Sequence, residues 1–371
     1  MGSYRPYIFF GSIPLALSFI LLFWVPPFEG SLLFVFLIIV NIFHRTCFTI
    51  VSVPYSSLTA RISDDSEERT KLTTARMLGA SFGTLSISAL GFPIINWFGS
   101  GEESLGFVYL GICSGLAAIL ILAITVKTVK ERNFDIAISK LPNFSEVRKS
   151  IVNNYAFLIV FASTLTLITT SIMFNKNLIY YTKYALGLHE FQGLILGVSS
   201  ASAFLAIPIW AYFALKIGKR NSWLISMSLL VFSFLFFYLY PIKNLIELLI
   251  VLIALGIGNG ATGVLFWSML PDTIEYGEWK TGVRTESSLY GFMTFAQKGG
   301  IAISALILGM LLTNIGFIPN TVQSEETLES LKSLMTFIPL AGVVISFILV
   351  YFYPIDSKFH KKLIREINER S

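Results

Sequence analysis

The chain has 371 residues, of which 54% are apolar and only 13% charged, against roughly 25% charged in an ordinary soluble protein. Its 33 Phe and its long Leu/Ile runs recur from end to end instead of gathering into separate domains, which excludes a water-soluble enzyme and puts apolar surface against lipid. The net charge of +5 does not mark a nucleic-acid binder, because the cations sit in short loops between apolar runs and not on one soluble face.

A hydrocarbon core about 30 Å thick needs roughly 20 helical residues. Ten runs of about that length or more follow one another, at approximately 7–25, 31–54, 75–98, 105–127, 155–178, 191–214, 223–240, 245–270, 287–313 and 334–354. None alternates as a barrel strand does, so each is expected to be a helix. The first run lacks a small-residue cleavage site and is followed by Pro26-Pro27, so no cleavable signal peptide is read. Cys47 and Cys113 lie inside apolar runs without metal or disulfide spacing and read as small hydrophobic residues.

With ten spans the loops alternate sides, and 21 of the 27 Lys and Arg fall on one side. The positive-inside rule then predicts a multi-pass protein of the cell membrane with both termini cytoplasmic. The longest interior loop, 128–154, is polar and basic and separates four spans (1–127) from six (155–354), with a tail at 355–371. Carriers built from two six-helix bundles have such a linker at mid-chain, so the four-plus-six split leads to the expectation that two helices precede Met1 in the intact fold.

An ionisable group inside a span costs at least ~2.5 kcal/mol at the helix centre and is a functional candidate. Arg45, Lys298 and, at a span entrance, Arg76 are such groups, whereas the only span carboxylate is Glu247 near an edge. These cations call for carboxylates from elsewhere or for an anionic substrate; snorkelling to the interface is the alternative for Arg45 and Arg76. Ser287, Gly291, Thr294, Lys298 and Ala302 form a small, polar stripe at helical spacing. His44 reads either as a proton shuttle or as a hydrogen-bonded packing residue. Gly256 and Gly260 permit close helix packing, or backbone flexibility in a rocking motion. Trp267 is either an interfacial anchor or a platform for the apolar face of a sugar ring.

Around the span 287–313 the sequence runs Asp272, Glu275, Tyr276-Gly277-Glu278, Lys280, Gly282, Arg284 and Glu286, and then Lys298-Gly299-Gly300. The pattern DxxxYGExKxGxRxE followed by KGG resembles the glycoside-pentoside-hexuronide cation symporters, the melibiose-permease-like branch of the major facilitator superfamily. Three further blocks agree: Pro54-Tyr55 with Leu58, Asp65, Glu68-Arg69, Leu72 and Arg76; Tyr180-Tyr181 with Tyr184 and Gly187; and Gly2-Ser3-Tyr4-Arg5-Pro6-Tyr7.

The resemblance implies an all-α major facilitator fold of twelve helices, of which about ten are present here. It implies secondary active transport of a sugar or glycoside coupled to Na+ or H+, with much of the cation site on the two helices expected before Met1; a non-transporting fragment of such a carrier is the alternative. By position, Arg76, Trp267, Thr294 and Lys298 match residues lining the family's cavity. Ser52 and Ser56 stand where melibiose permease has Asp and Trp. Arg45, seven residues before Ser52 on the same helix face, would give a basic wall there, fitting a negatively charged sugar such as a uronide or pairing with an absent Asp.

The charged motif reads as ion pairs that hold one access state and break in the other, or as a hydrated loop: Asp272, Glu275, Tyr276, Glu278, Lys280, Arg284 and Glu286, with Asp64, Asp65, Glu67, Glu68 and Arg69 read similarly. The tail places Ile355, Phe359, Ile364 and Ile367 near one face and is expected as an amphipathic helix on anionic lipid or as a solvated end. No nucleophile–base pair, HExxH or phosphate loop occurs, and His44, His189 and His360 are too far apart for a local motif, so no enzyme is expected. No cofactor beyond the coupling cation, no nucleic acid and no protein partner is indicated; the partners expected are a sugar and membrane lipid.

Overall fold

The computed structural model describes residues 2–63, 65–99, 102–131, 144–319 and 321–370. Residues 132–143 of the expected linker, and Asp64 of the acidic group, lie outside these residues. Twelve α-helices and one 3-10 turn make up the described regular structure, without a strand. Nine of the described helices are long and apolar enough to cross a membrane. The remaining expected span, 75–98, falls within a continuous helix, Ser66–Gly99, some of whose side chains are outside the described set. Helix is the solution because it satisfies each peptide group within its own segment, which lipid cannot do.

The first compact unit comprises Met1–Asp64 and Gly79–Lys140. It holds α1 (Arg5–Phe23), α2 (Gly30–Ile62), the latter part of α3 (Ser66–Gly99) and α4 (Glu103–Thr128). Its core packs Ile8, Val51, Leu58 and Val126 with Tyr4, Leu15, Tyr55, Ile62 and Leu122 around them. The Gly2–Arg5 block has a local reason. The Glu131 carboxylate accepts from the backbone N–H groups of Ser3 (2.7 Å), Tyr4 (3.0 Å) and Arg5 (2.9 Å), meeting donors that open a helix without partners. Gly2 makes room for this: its φ is +83°, and a Cβ there would lie 2.5 Å from the carboxyl carbon of Glu131.

The second unit comprises Asp65–Leu78, the start of α3, and Leu141–Ser371. It contains α5 (Phe144–Val152), α6 (Tyr155–Tyr184), α7 (Gln192–Ile217), α8 (Lys219–Leu239), α9 (Leu245–Thr281), α10 (Glu286–Asn314), α11 (Glu325–Tyr351) and α12 (Ser357–Arg370). Asn154 begins α6 by accepting from Phe157 N–H at 2.9 Å, and its amide donates to the Thr273 carbonyl of α9 at 2.7 Å. At 37 residues α9 is about 55 Å long, well beyond a core of about 30 Å, so its polar last turns extend past the apolar stretch. Gly282, at φ +73°, closes α9 in the left-handed conformation and turns the chain toward α10.

Helices α7 and α9 meet through glycine. A Cβ on Gly256 would stand 2.7 Å from the Ser199 carbonyl, and one on Gly260 2.5 Å from the Ala203 carbonyl. Trp210 Nε1 crosses the same seam to the Ile257 carbonyl at 2.7 Å. Close packing is therefore what these glycines provide. Gly260→Ala should separate the two helices and lower the melting temperature in detergent, at an overpacking cost of about 1–3 kcal/mol. Gly263→Ala, whose Cβ would meet only Met77 Sδ at 4.0 Å, should be neutral or stabilising in the same assay.

Candidate functional site

Two of the expected cavity residues come together in the second unit. The Arg76 guanidinium, near the start of α3, lies 4.3 Å from the centroid of the Trp267 ring. Trp267 on α9 is 9% exposed, with Phe266 at 4.8 Å on one side and Tyr290 of α10 stacked at 6.2 Å. Burial on this scale makes it a packed platform and not an interfacial anchor, and a cation over an indole face contributes about 0.5–2 kcal/mol. Thr294 donates to the Tyr290 carbonyl at 2.9 Å, which keeps its hydroxyl one turn from the stacked ring. Lys298 follows one turn later and is exposed, on a face where a Cβ added at Gly291 would meet nothing within 4 Å.

Arg45 and Ser52 belong to the first unit, both on α2. Arg45 is exposed, with its Nε 3.5 Å from Asn41 Oδ1. Ser52 Oγ is buried and has no hydrogen-bond partner among the described residues. His44 is held by Ser18 Oγ at 3.1 Å and packs on Phe19, the arrangement of a hydrogen-bonded packing residue.

The largest concentration of charge sits where the last turns of α9 meet α3, α8 and α12. Asp272 and Glu275 are 3% and 1% exposed, and Arg69 is fully buried. Arg69 pairs with Glu275 and reaches to 3.7 Å of Asp272. Lys219, opening α8, donates to Asp272 Oδ2 and to the Ser268 carbonyl, each at 2.7 Å. His360 of α12 lies with Nε2 2.6 Å from Glu275 Oε2 and 3.7 Å from Asp272. Two full cations thus balance two carboxylates, and a protonated His360 adds one further positive charge. Asp272, Glu275 and His360 offer ligand atoms within 4.8 Å of one another, the span of a metal site. Arg69 and Lys219 already occupy those carboxylates, however, so the chemistry is that of an ion-pair network.

A second set lies beside it. Arg284 binds Glu278 Oε2 at 2.7 Å and Glu286 Oε1 at 2.6 Å, bridging the end of α9 to the start of α10. Lys280 lies 5.8 Å from the Tyr276 ring centroid. Asp65 caps α3, accepting from Glu67 N–H at 2.8 Å. The expected gate residues therefore divide into a buried cluster, an Arg284 bridge and a helix cap.

Lys219, His360 and Tyr353 were not legible as members. Each is separated by 50 or more residues from Asp272 and Glu275 in sequence, and only α9, α8 and the chain end folding together reveals them. The tail helix α12 docks on protein: Leu363 is 1% exposed, Phe359 packs against Tyr276 and Trp279, and Trp279 Nε1 donates to Glu366 at 2.7 Å. Burial pushes the Tyr353 phenol well above its ordinary value, and the nearby Asp272 and Glu275 charges add to that.

A family model described as MFS/sugar transport protein matches residues 1–357. The chain belongs to that family. Among curated relatives, a glucuronide carrier protein homolog of Escherichia coli (strain K12) is 27% identical over 375 residues, covering all of this chain and 81% of its own. An isoprimeverose transporter of Lactiplantibacillus pentosus is 27% identical over 376 residues, covering all of this chain and 77% of its own. A putative sulfoquinovose importer of Escherichia coli (strain K12) is 26% identical over 385 residues, covering all of this chain and 79% of its own. The crystal structure of the E. coli fucose:proton symporter matches with a TM-score of 0.68 at 14% identity, over 95% of this chain and 85% of that one. The protein is a multi-pass membrane transporter with a major facilitator fold, and not an enzyme.

Burial lowers the His360 pKa, but the Asp272 charge and the Glu275 hydrogen bond and charge outweigh it, against a small opposing effect of Lys219, and the net shift is upward. A group raised in the folded state contributes stability that is complete below its unfolded value, about 6.5, and disappears as pH climbs through the folded value. The melting temperature of the purified protein should therefore fall as pH rises through and above about 6.5, and His360→Gln should flatten that part of the profile. An unaltered slope in the variant would rule out His360 as its source.

Proposed function

We propose that this chain moves a sugar derivative bearing an acidic group across the cell membrane, coupled to Na+ or H+, by alternating access. The observation that carries the reading is the Arg76 guanidinium held over the indole of buried Trp267, a positioned charge able to meet a carboxylate or sulfonate. Lys298 adds a second cation one turn beyond Thr294. Two of the relatives above are named for glucuronide and sulfoquinovose, sugars that carry an acid. Arg45 and Ser52 join this reading as substrate-binding residues on the strength of the family pattern alone, and the uneven Lys and Arg count supports an orientation with both termini in the cytoplasm.

In this mechanism Arg69, Asp272, Glu275 and His360, with the Arg284 bridge, form the gate on the cytoplasmic side. Arg69 comes from the start of α3, and its buried pairing with the last turns of α9 can act as a charge-controlled latch within the second unit. Cargo and cation binding would shift the balance between latched and released states by their different affinities for the two.

Proteoliposomes test both halves of the proposal. Uptake of radiolabelled methyl β-D-glucuronide should be driven by an imposed Na+ or proton gradient, and excess uronide should compete better than excess methyl β-D-glucoside. Arg76→Gln should cost about tenfold or more in uronide affinity, because one charge-assisted interaction is worth about 1.5–3 kcal/mol. Equal competition by the neutral glycoside would overturn the acidic-sugar reading.

A further inference from the structure

A cavity of about 300 Å³ opens between α6, α7 and α9, wholly within the second unit. Its lining is chemically distinct from the Arg76 region. Thr164 and Ser171 of α6, Ser199 and Ser200 of α7, and Asn259 and Thr262 of α9 contribute hydroxyls and an amide, and none of the described lining residues is ionisable. A void that served packing alone in a helix bundle would be apolar and dry, so converging polar groups from three helices need a reason.

Two observations point to a ligand. Thr164 is 2% exposed, and its Oγ1 has no hydrogen-bond partner among the described residues although it lines the cavity. Asn259 is only partly used: its amide donates to the Leu255 carbonyl at 3.1 Å, while its oxygen has one long contact, 3.4 Å, from Ser171. A buried hydroxyl left unsatisfied is costly, and a ligand hydroxyl entering the cavity would remove that cost. The walls are also rigid, because the Gly256 and Gly260 seam locks α7 to α9 beside the polar groups. Phe266, part of the lining, packs on Trp267 and so connects the cavity to the Arg76 platform.

We propose that this cavity is an uncharged subsite that binds the hydroxyl-rich, neutral part of a glycoside, separate from the group that neutralises acid at Arg76. Its volume is at the lower end of ligand pockets, about 300–1,000 Å³, which suits one sugar ring or a small polyol. Donors and acceptors in near-equal supply, without charge, match vicinal hydroxyls, each of which donates and accepts. The proposal rests on the sugar-carrier reading but not on the acid preference within it.

The test uses the full chain in detergent micelles, titrated by equilibrium dialysis with three radiolabelled probes: methyl β-D-glucoside, methyl β-D-glucuronide, and glutarate, an acid without hydroxyls. Thr164→Val, nearly isosteric, and Asn259→Leu should each weaken both glycosides by the same factor, about three- to tenfold, as expected for one lost neutral hydrogen bond. Arg76→Gln should weaken the uronide alone. If Asn259→Leu does not fold, Thr164→Val decides. The subsite is overturned if variants that melt like the parent bind both glycosides unchanged, which would leave a water-filled void only, or if the parent binds neither glycoside more tightly than glutarate. Weakened glucoside binding in the cavity variants, together with an Arg76→Gln protein that still binds the uronide fully, would uphold the subsite while removing the acidic-sugar reading.

Discussion

Two carboxylates, Asp272 and Glu275, lie almost completely out of water at the polar end of α9, and the described structure around them is arranged to make that tolerable. An ionised carboxylate without partners at such a position costs several kcal/mol. Arg69 arrives from α3, Lys219 from the first residue of α8 and His360 from α12, so three segments far apart in sequence converge on one helix end. Such networks contribute little net stability compared with a well-packed apolar core, yet losing a single member leaves a buried charge exposed to no solvent and is expensive. That asymmetry suits a carrier under the proposed mechanism: the cluster is either whole or open, with little stability in between.

The same reasoning separates what the chain's residues disclose from what they conceal. The apolar runs and the positions of helices follow directly from a solvent that cannot bond to peptide groups, and for that reason α1, α4, α7 and α10 were readable almost to their ends, whereas α2, α6, α9 and α11 extend beyond the expected runs in more polar turns. The charged motif after Asp272 was readable as a functional block, since Asp, Glu, Lys and Arg at close spacing on an apolar chain need an explanation. Its partners were not. Lys219 reads as one of many loop cations and His360 as an isolated histidine in a tail, because ion pairing across 53 or 85 residues leaves no periodic trace. The tail shows the limit most clearly: its amphipathic pattern allowed a lipid surface, whereas its apolar face is filled by Tyr276 and Trp279. An apolar face declares that something covers it, not what does.

The candidate binding region divides in a similar way. Arg76 and Trp267 are close together because the start of α3 reaches α9, where Tyr290 of α10 stacks on the indole, and Arg76 stood out as a cation at a span entrance. Thr164 and Asn259 carried no comparable signal, since Thr and Asn within apolar helices usually bond back to their own backbone. Thr164 departs from that habit, and only the folded structure reveals it. Charge is conspicuous in a hydrophobic sequence, while neutral polar groups become conspicuous only when their hydrogen bonds are counted.

The central claim is that a buried pair between α3 and α9 organises this end of the second unit, and exchanging its charges tests that directly. Arg69→Glu and Glu275→Arg should each lower the melting temperature and abolish uptake, since each buries two like charges. The double exchange should recover most of both, with a coupling at the upper end of the usual 0.5–3 kcal/mol for interacting residues. A double variant no more stable than the worse single variant would show that Arg69 and Glu275 act independently, and would contradict the account.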